Sequence, residues 1–120
     1  MNDLDFVSIN IQKDYISLYW KRSPNDEELK QGLNQGLEMA IEADIHKWLG
    51  NTKNIETLPA LTNDWVNRDW FPRCLKQINK MAIIIPKSAL AMMNVNQIMT
   101  RVGKLENKYF ESEESALKWL

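Results

Sequence analysis

The chain is poor in several of the residues and patterns on which function is most often read. Of its 120 residues, one is cysteine, Cys74, and one is histidine, His46. A lone cysteine excludes an internal disulfide and suits a reducing compartment. A lone histidine leaves a zinc site without companions, because only Cys74 and carboxylates remain as ligands. There are four glycines, Gly32, Gly36, Gly50 and Gly103, and none stands in a phosphate-cradling loop of the dinucleotide or P-loop type. No charge of one sign prevails: 15 basic and 16 acidic residues leave a net charge of −1. A chain so balanced carries no field to hold a polyanion, which argues against nucleic acid as a partner. Long apolar runs are missing too. The longest, Met81 to Pro86, is far too short to cross a bilayer. The first residues, Met1-Asn2-Asp3-Leu4-Asp5, have neither a basic start nor an apolar stretch, so the expected location is the cytoplasm.

What is present describes one globular domain. Apolar residues make up 44% and charged residues 26%, enough for a single buried core at this length. Phe6-Val7-Ser8-Ile9-Asn10-Ile11 alternates as a half-buried strand does, and Tyr15-Ile16-Ser17-Leu18-Tyr19-Trp20 is rich in β-formers. The three residues between them predict a hairpin. Ser23 or Asn25 then caps a first helix running to about Ala43, with Leu29, Leu33, Leu37, Ala40 and Ile41 as its stripe. Gly32 and Gly36, four apart in that helix, mean either close packing or a weak helix. Lys47-Trp48-Leu49-Gly50 is a third strand, residues 51–60 are a loop, and a second helix spans about Ala60 to Leu75. Met81-Ala82-Ile83-Ile84-Ile85 reads as a strand buried on both faces. Short helical segments over 88–93 and 95–104, a strand at Asn107-Lys108-Tyr109-Phe110 and a final helix capped by Ser112 complete the chain. The order β-β-α-β-α-β-α-β-α predicts an α/β fold with a five-stranded, mixed and mostly parallel sheet covered on both sides by about four helices. The core is expected from Ile16, Leu18, Leu33, Leu37, Leu49, Ala82, Ile84, Phe110 and Leu117.

No nucleophile, acid and base can be assembled from these types and spacings, so no enzyme, cofactor or metal is expected. The acid pairs Glu27-Glu28 and Glu113-Glu114 open helices, where the dipole accounts for them. Met92, Met93 and Met99 suit irregular gaps in a core. The second helix is the unusual element. At roughly 100° per residue it shows two apolar stripes, one with Leu61, Trp65, Pro72 and Leu75, the other with Val66, Trp70 and Cys74. One sheet face cannot cover both. Either a neighbouring helix covers the second stripe, or Val66, Trp70 and Cys74 form an interface, most simply of a homodimer, or the wall of an apolar pocket.

The run Trp70-Phe71-Pro72, then Met81-Ala82-Ile83-Ile84-Ile85-Pro86, then Tyr109-Phe110-Glu111-Ser112-Glu113-Glu114-Ser115-Ala116-Leu117-Lys118-Trp119-Leu120, resembles small bacterial STAS-like proteins of the SpoIIAA-like kind. These are similar to the anti-sigma-factor antagonists and are related in shape to CRAL-TRIO lipid-binding domains. The resemblance implies a five-stranded mixed sheet and a non-enzymatic role as a regulatory or protein-interaction module. It also implies, as an alternative, a carrier of a small apolar or lipid-like ligand. The antagonists carry a phosphorylatable serine after an aspartate where the third strand meets the second helix. Here that place reads Gly50-Asn51-Thr52-Lys53. Thr52 keeps a hydroxyl, but Asn51-Thr52 departs from the pattern, and no phosphorylation switch is expected there.

Overall fold

Alternation makes the first hairpin. Val7–Gln12 (β2) and Tyr15–Trp20 (β3) pair antiparallel about the two-residue turn Lys13-Asp14, with Val7, Ile9, Ile16, Leu18 and Trp20 buried on one side. The computed structural model describes residues 2–120. Its remaining elements are β1 (Asn2–Asp3), α1 (Asp26–Ala43), β4 (Lys47–Asn51), α2 (Ala60–Trp65), a π-helical turn (Val66–Trp70), α3 (Phe71–Cys74), β5 (Lys80–Ile84), α4 (Ala89–Met99), β6 (Glu106–Phe110) and α5 (Glu113–Trp119). The sheet runs β1-β2-β3-β4-β5-β6, with β1 to β3 antiparallel neighbours and β3 to β6 parallel. The mixed α/β sheet is the one expected from the sequence. It has six strands and not five, because the polar pair Asn2–Asp3 adds an edge strand too short to show a pattern.

Strand order equals chain order. Each parallel crossover therefore steps one strand in the same direction, which puts its helices on the same face. That face holds the main core: Trp48, Met81 and Ile83 from the strands meet Leu29 and Leu37 of α1, Val66 and Trp70 of the second helix, and Val95 and Ile98 of α4. The opposite face has one cover, α5, over Leu49, Ala82 and Ile84. Both faces are covered, as expected, but unequally. Two segments expected over 88–104 are one helix, Ala89–Met99, capped by Ser88, whose hydroxyl accepts from the Ala91 N–H.

The ambiguous glycines are sites of close packing. A Cβ on Gly32 would lie 2.5 Å from Trp20 Cη2, and one on Gly36 would lie 2.8 Å from Trp48 Cη2. Of the expected core, Ile16, Leu18, Leu37, Leu49, Ala82 and Ile84 are buried. Leu33 and Phe110 pack partly against it. Leu117 is a correction: it is 37% exposed. The side of α5 that meets the sheet is centred on Ala116, with Trp119 and Leu120 beside it, and Leu117 sits about 100° round from Ala116.

The start of α1 is an acid-sensitive clasp. Asn25 and Glu28 form a capping box, and the Glu28 carboxylate also accepts from Arg22 at 2.7 and 2.9 Å. Asp26 accepts from the buried Thr62 hydroxyl, tying α1 to α2, whose own start at Pro59 has no side-chain cap. The Arg22 guanidinium holds the Glu28 carboxyl below its usual range, and the Thr62 hydroxyl does the same for Asp26. Carboxyls lowered in the folded state stabilise it above their unfolded value, about 4, and that contribution is lost as pH falls through the lower folded value. The urea midpoint is therefore expected to fall as pH drops from about 5 to 3. The fall should be shallower in Asp26→Asn/Glu28→Gln. An equal fall in that variant would place the acid sensitivity elsewhere.

Candidate functional site

The second helix carries Thr62, Val66, Trp70 and Cys74, each four residues after the last, and all four are buried. In a straight α-helix a four-residue step overshoots a full turn by about 40°, so three steps drift by about 120°. Such a series cannot all face one sheet. The π-helical turn Val66–Trp70 removes the conflict, because its wider winding rotates the chain less per residue. The Phe71 N–H reaches back to Val66 O across that turn, and the Asn67 side chain donates to Asn63 O at 3.1 Å.

This overturns the expected interface. Val66, Trp70 and Cys74 do not reach the surface. Trp70 stands edge-on to Trp48 with ring centres 5.2 Å apart, and its indole N–H donates to Leu33 O at 3.0 Å. α1 supplies the neighbour through the Leu33 carbonyl, while Gly32 and Gly36 let that helix lie close to Trp20, Leu18 and Trp48 of the sheet. Burial pushes the Cys74 thiol up to about 12, which leaves no thiolate for nucleophilic or redox chemistry at neutral pH. The stripe that does reach solvent is the other one: Leu61 is 84% exposed, Pro72 and Leu75 are exposed, and Trp65 is half-buried with the Lys30 ammonium 5.7 Å from its ring centre. α4, which touches α2, also exposes Leu90 and Met93. Met99, in contrast, is buried, and Met92 is half-buried.

Beneath the π-turn lies a cavity of about 80 Å³ between the helices and the sheet. Val66, Trp70 and Phe71 form its roof, and Trp48, Gly50, Met81 and Ile83 form its floor. No titratable side chain lines it. Thr52 stands at its rim, where the C-terminal end of β4 leaves the sheet. Its hydroxyl donates to Ile84 O at 2.6 Å and its N–H to the same oxygen at 3.1 Å. Buried and bonded in this way, the hydroxyl presents nothing to a kinase unless the ends of β4 and β5 separate.

A second, open crevice follows the C-terminal ends of the parallel strands, lined by Lys21, Arg22, Lys53 and Lys87 with Ser23, Ser88 and Glu56. Two of its four cations are answered within the fold. Lys21 pairs with Asp3 at 2.6 Å, and Arg22 pairs with Glu28 and Asp5. His46 is elsewhere, its Nδ1 2.9 Å from Gln77 O and its Nε2 3.3 Å from Asp44 Oδ1. Among the described residues no three metal-ligating side chains come together, and no helix is long and apolar enough to cross a membrane. Sequence reasoning missed the cavity residues Trp48, Gly50 and Met81. The signal available was Gly50, since a glycine inside a strand often marks close approach or an opening.

A model of the SpoIIAA-like family matches residues 15–120. Among solved structures, an uncharacterized protein with a SpoIIAA-like fold from Shewanella loihica superposes with a TM-score of 0.69 at 20% identity, over 100% of this chain and 98% of that one. At that identity the likeness speaks for the fold. No curated protein matches the chain.

Proposed function

The chain belongs to the SpoIIAA-like family, and on that premise we propose a non-enzymatic docking module of STAS type, cytoplasmic, that pairs with a second copy of itself through the outer sides of α2 and α4. One observation carries the reading: Leu61, Leu90 and Met93 are 84%, 55% and 59% exposed on two helices that touch each other. Exposed apolar side chains gathered on adjacent elements favour association. A net charge of −1 sets up no strong repulsion between copies, and two-fold dimers are the commonest soluble assembly. Nothing in the reading calls for phosphate on Thr52, and phosphorylated Thr52 in protein from its native cell would count against it.

Light scattering over a concentration series is the test. Wild type is expected to gain mass toward a dimer, and Leu61→Lys/Met93→Lys to remain a monomer with an unchanged melting temperature, since exposed substitutions shift stability by about 0.5 kcal/mol or less. A wild type that stays monomeric into the millimolar range removes the self-docking reading. The second reading, a carrier of a small apolar ligand, is favoured by the cavity under the π-turn.

A further inference from the structure

Three successive loops leave the C-terminal ends of the parallel strands, and each brings basic side chains. Lys21 and Arg22 follow β3, Lys53 follows β4 and Lys87 follows β5. Because strand order equals chain order, these loops are neighbours, and together they line the open crevice. Its walls are tied to one another. The Ser23 hydroxyl oxygen accepts from the Glu56 N–H at 2.8 Å and from the Thr57 N–H at 3.4 Å. Ser88 donates its hydroxyl to Glu56 O at 2.9 Å, and the Lys87 N–H donates to Lys53 O at 3.4 Å. Walls joined in this way hold their shape before anything binds, which lowers the cost of binding.

The charge is unevenly spent. Lys21 is answered by Asp3, and Arg22 by Glu28 and Asp5. Lys53 and Lys87, both exposed, pair with no carboxylate among the described residues. The one carboxylate on the walls, Glu56, is exposed as well. Ser23 accepts twice, and its own hydroxyl proton goes to no acceptor among the described residues. α4 begins behind Ser88 with no acid in its first turn, so the positive end of its dipole adds to the two lysines.

We propose that the crevice binds a phosphate monoester on a hydroxyl-rich body, the class of a sugar phosphate. Lys53 and Lys87 supply the charge that a phosphate dianion recruits, and Ser23 supplies a hydroxyl donor. The place suits a ligand, since in open α/β sheets ligands gather outside the carboxyl ends of the strands. The crevice volume, about 970 Å³, lies within the range of small-molecule sites and is far more than a lone phosphate fills. The remaining walls select the body. Glu56 and the Asn54 amide oxygen can accept from sugar hydroxyls. Ile55 is the one apolar residue on the walls and no aromatic ring is among them, so a nucleotide base finds nothing to stack on. The proposal rests neither on docking through α2 and α4 nor on the apolar cavity.

Titration at low salt, followed by amide NMR shifts, tests it with glucose 6-phosphate, glucose, inorganic phosphate and adenosine monophosphate. Glucose 6-phosphate is expected to bind most tightly and to move the amides of Lys53, Asn54, Lys87 and Ser88, while glucose moves none. Lys53→Gln/Lys87→Gln should weaken glucose 6-phosphate about tenfold, the worth of two exposed charged contacts, with the melting temperature unchanged. Lys76→Gln/Lys104→Gln removes the same charge ahead of β5 and β6, at the opposite ends of the strands, and should leave the affinity as it is. An equal loss in both double variants would reduce the effect to general attraction by surface charge and overturn the site. Inorganic phosphate binding as tightly as glucose 6-phosphate would show an adventitious ion only. Tighter binding of adenosine monophosphate would overturn the hydroxyl-rich body, and no shift with any probe in the millimolar range would overturn the proposal as a whole.

Discussion

Trp70→Ala is expected to cost about 3–5 kcal/mol of folding stability, the range for truncating a large aromatic in a packed core. Trp70 is the largest fully buried side chain in the molecule. Removing it takes away two edge-to-face contacts, with Trp48 at 5.2 Å and with Phe71 at 4.9 Å between ring centres. It also strips Leu33 O of its indole donor. Collapse can recover little of this, because the site already borders a void of about 80 Å³ and the remaining walls stand on separate elements. Against a total of about 5–15 kcal/mol for a domain, the loss brings the variant close to unfolding at ambient temperature. The thermal midpoint should drop by on the order of 10–25 °C. Leu61→Ala, on the exposed side of the same helix, should change stability by no more than about 0.5 kcal/mol. Urea unfolding of the two variants side by side separates them. Equal midpoints would mean that Trp70 lies at the surface after all.

That contrast also shows where the sequence could be read and where it could not. The hairpin, the buried strand at Met81–Ile85 and the helix capped by Ser112 announce themselves through period, length and cap chemistry, and the sheet they build is the one found. The two stripes of the second helix were legible as well. Which of them faced inward was not, for a physical reason. A projection at constant winding cannot anticipate a π-turn, and the partner covering Trp70 is not another apolar stripe. It is the backbone of α1 at Leu33 and the edge of Trp48, with Gly32 and Gly36 letting α1 sit close over Trp20 and Trp48. Leu117 misleads in the opposite way. It is apolar and helical, but the helix touches the sheet through Ala116, a residue too small to mark the buried side by hydrophobicity alone. The cavity was less legible still, because it is made by the shapes of residues on seven separate elements and the loop after β4 and has no local signature beyond Gly50.

The short helix at the end of the chain carries the other large effect. Deleting residues 112–120 is expected to leave a protein that is insoluble or lacks fixed tertiary packing. Strand order and crossover direction place α1, the π-turn helix and α4 together on one face, so the other face depends on α5 alone. Beneath it lie Leu49, Ala82 and Ile84, all buried. Baring Leu49 and Ile84 costs about 3–6 kcal/mol at the usual 1.5–3 per large aliphatic side chain. The Phe110–Trp119 contact at 5.5 Å is lost as well. Lys80 loses both its bond to Trp119 O at 2.7 Å and the indole face 4.4 Å from its ammonium. A sum of that size consumes most of the stability of a small domain, and the bared strands β5 and β6 then offer an apolar face that invites aggregation. The measurement is the soluble fraction on expression together with amide hydrogen exchange in β5. Ile84→Ala, at about 2–5 kcal/mol, serves as the milder variant that keeps the chain intact. A truncated protein that stays soluble and protects the β5 amides as the full chain does would show that the second face of the sheet is stable without its cover.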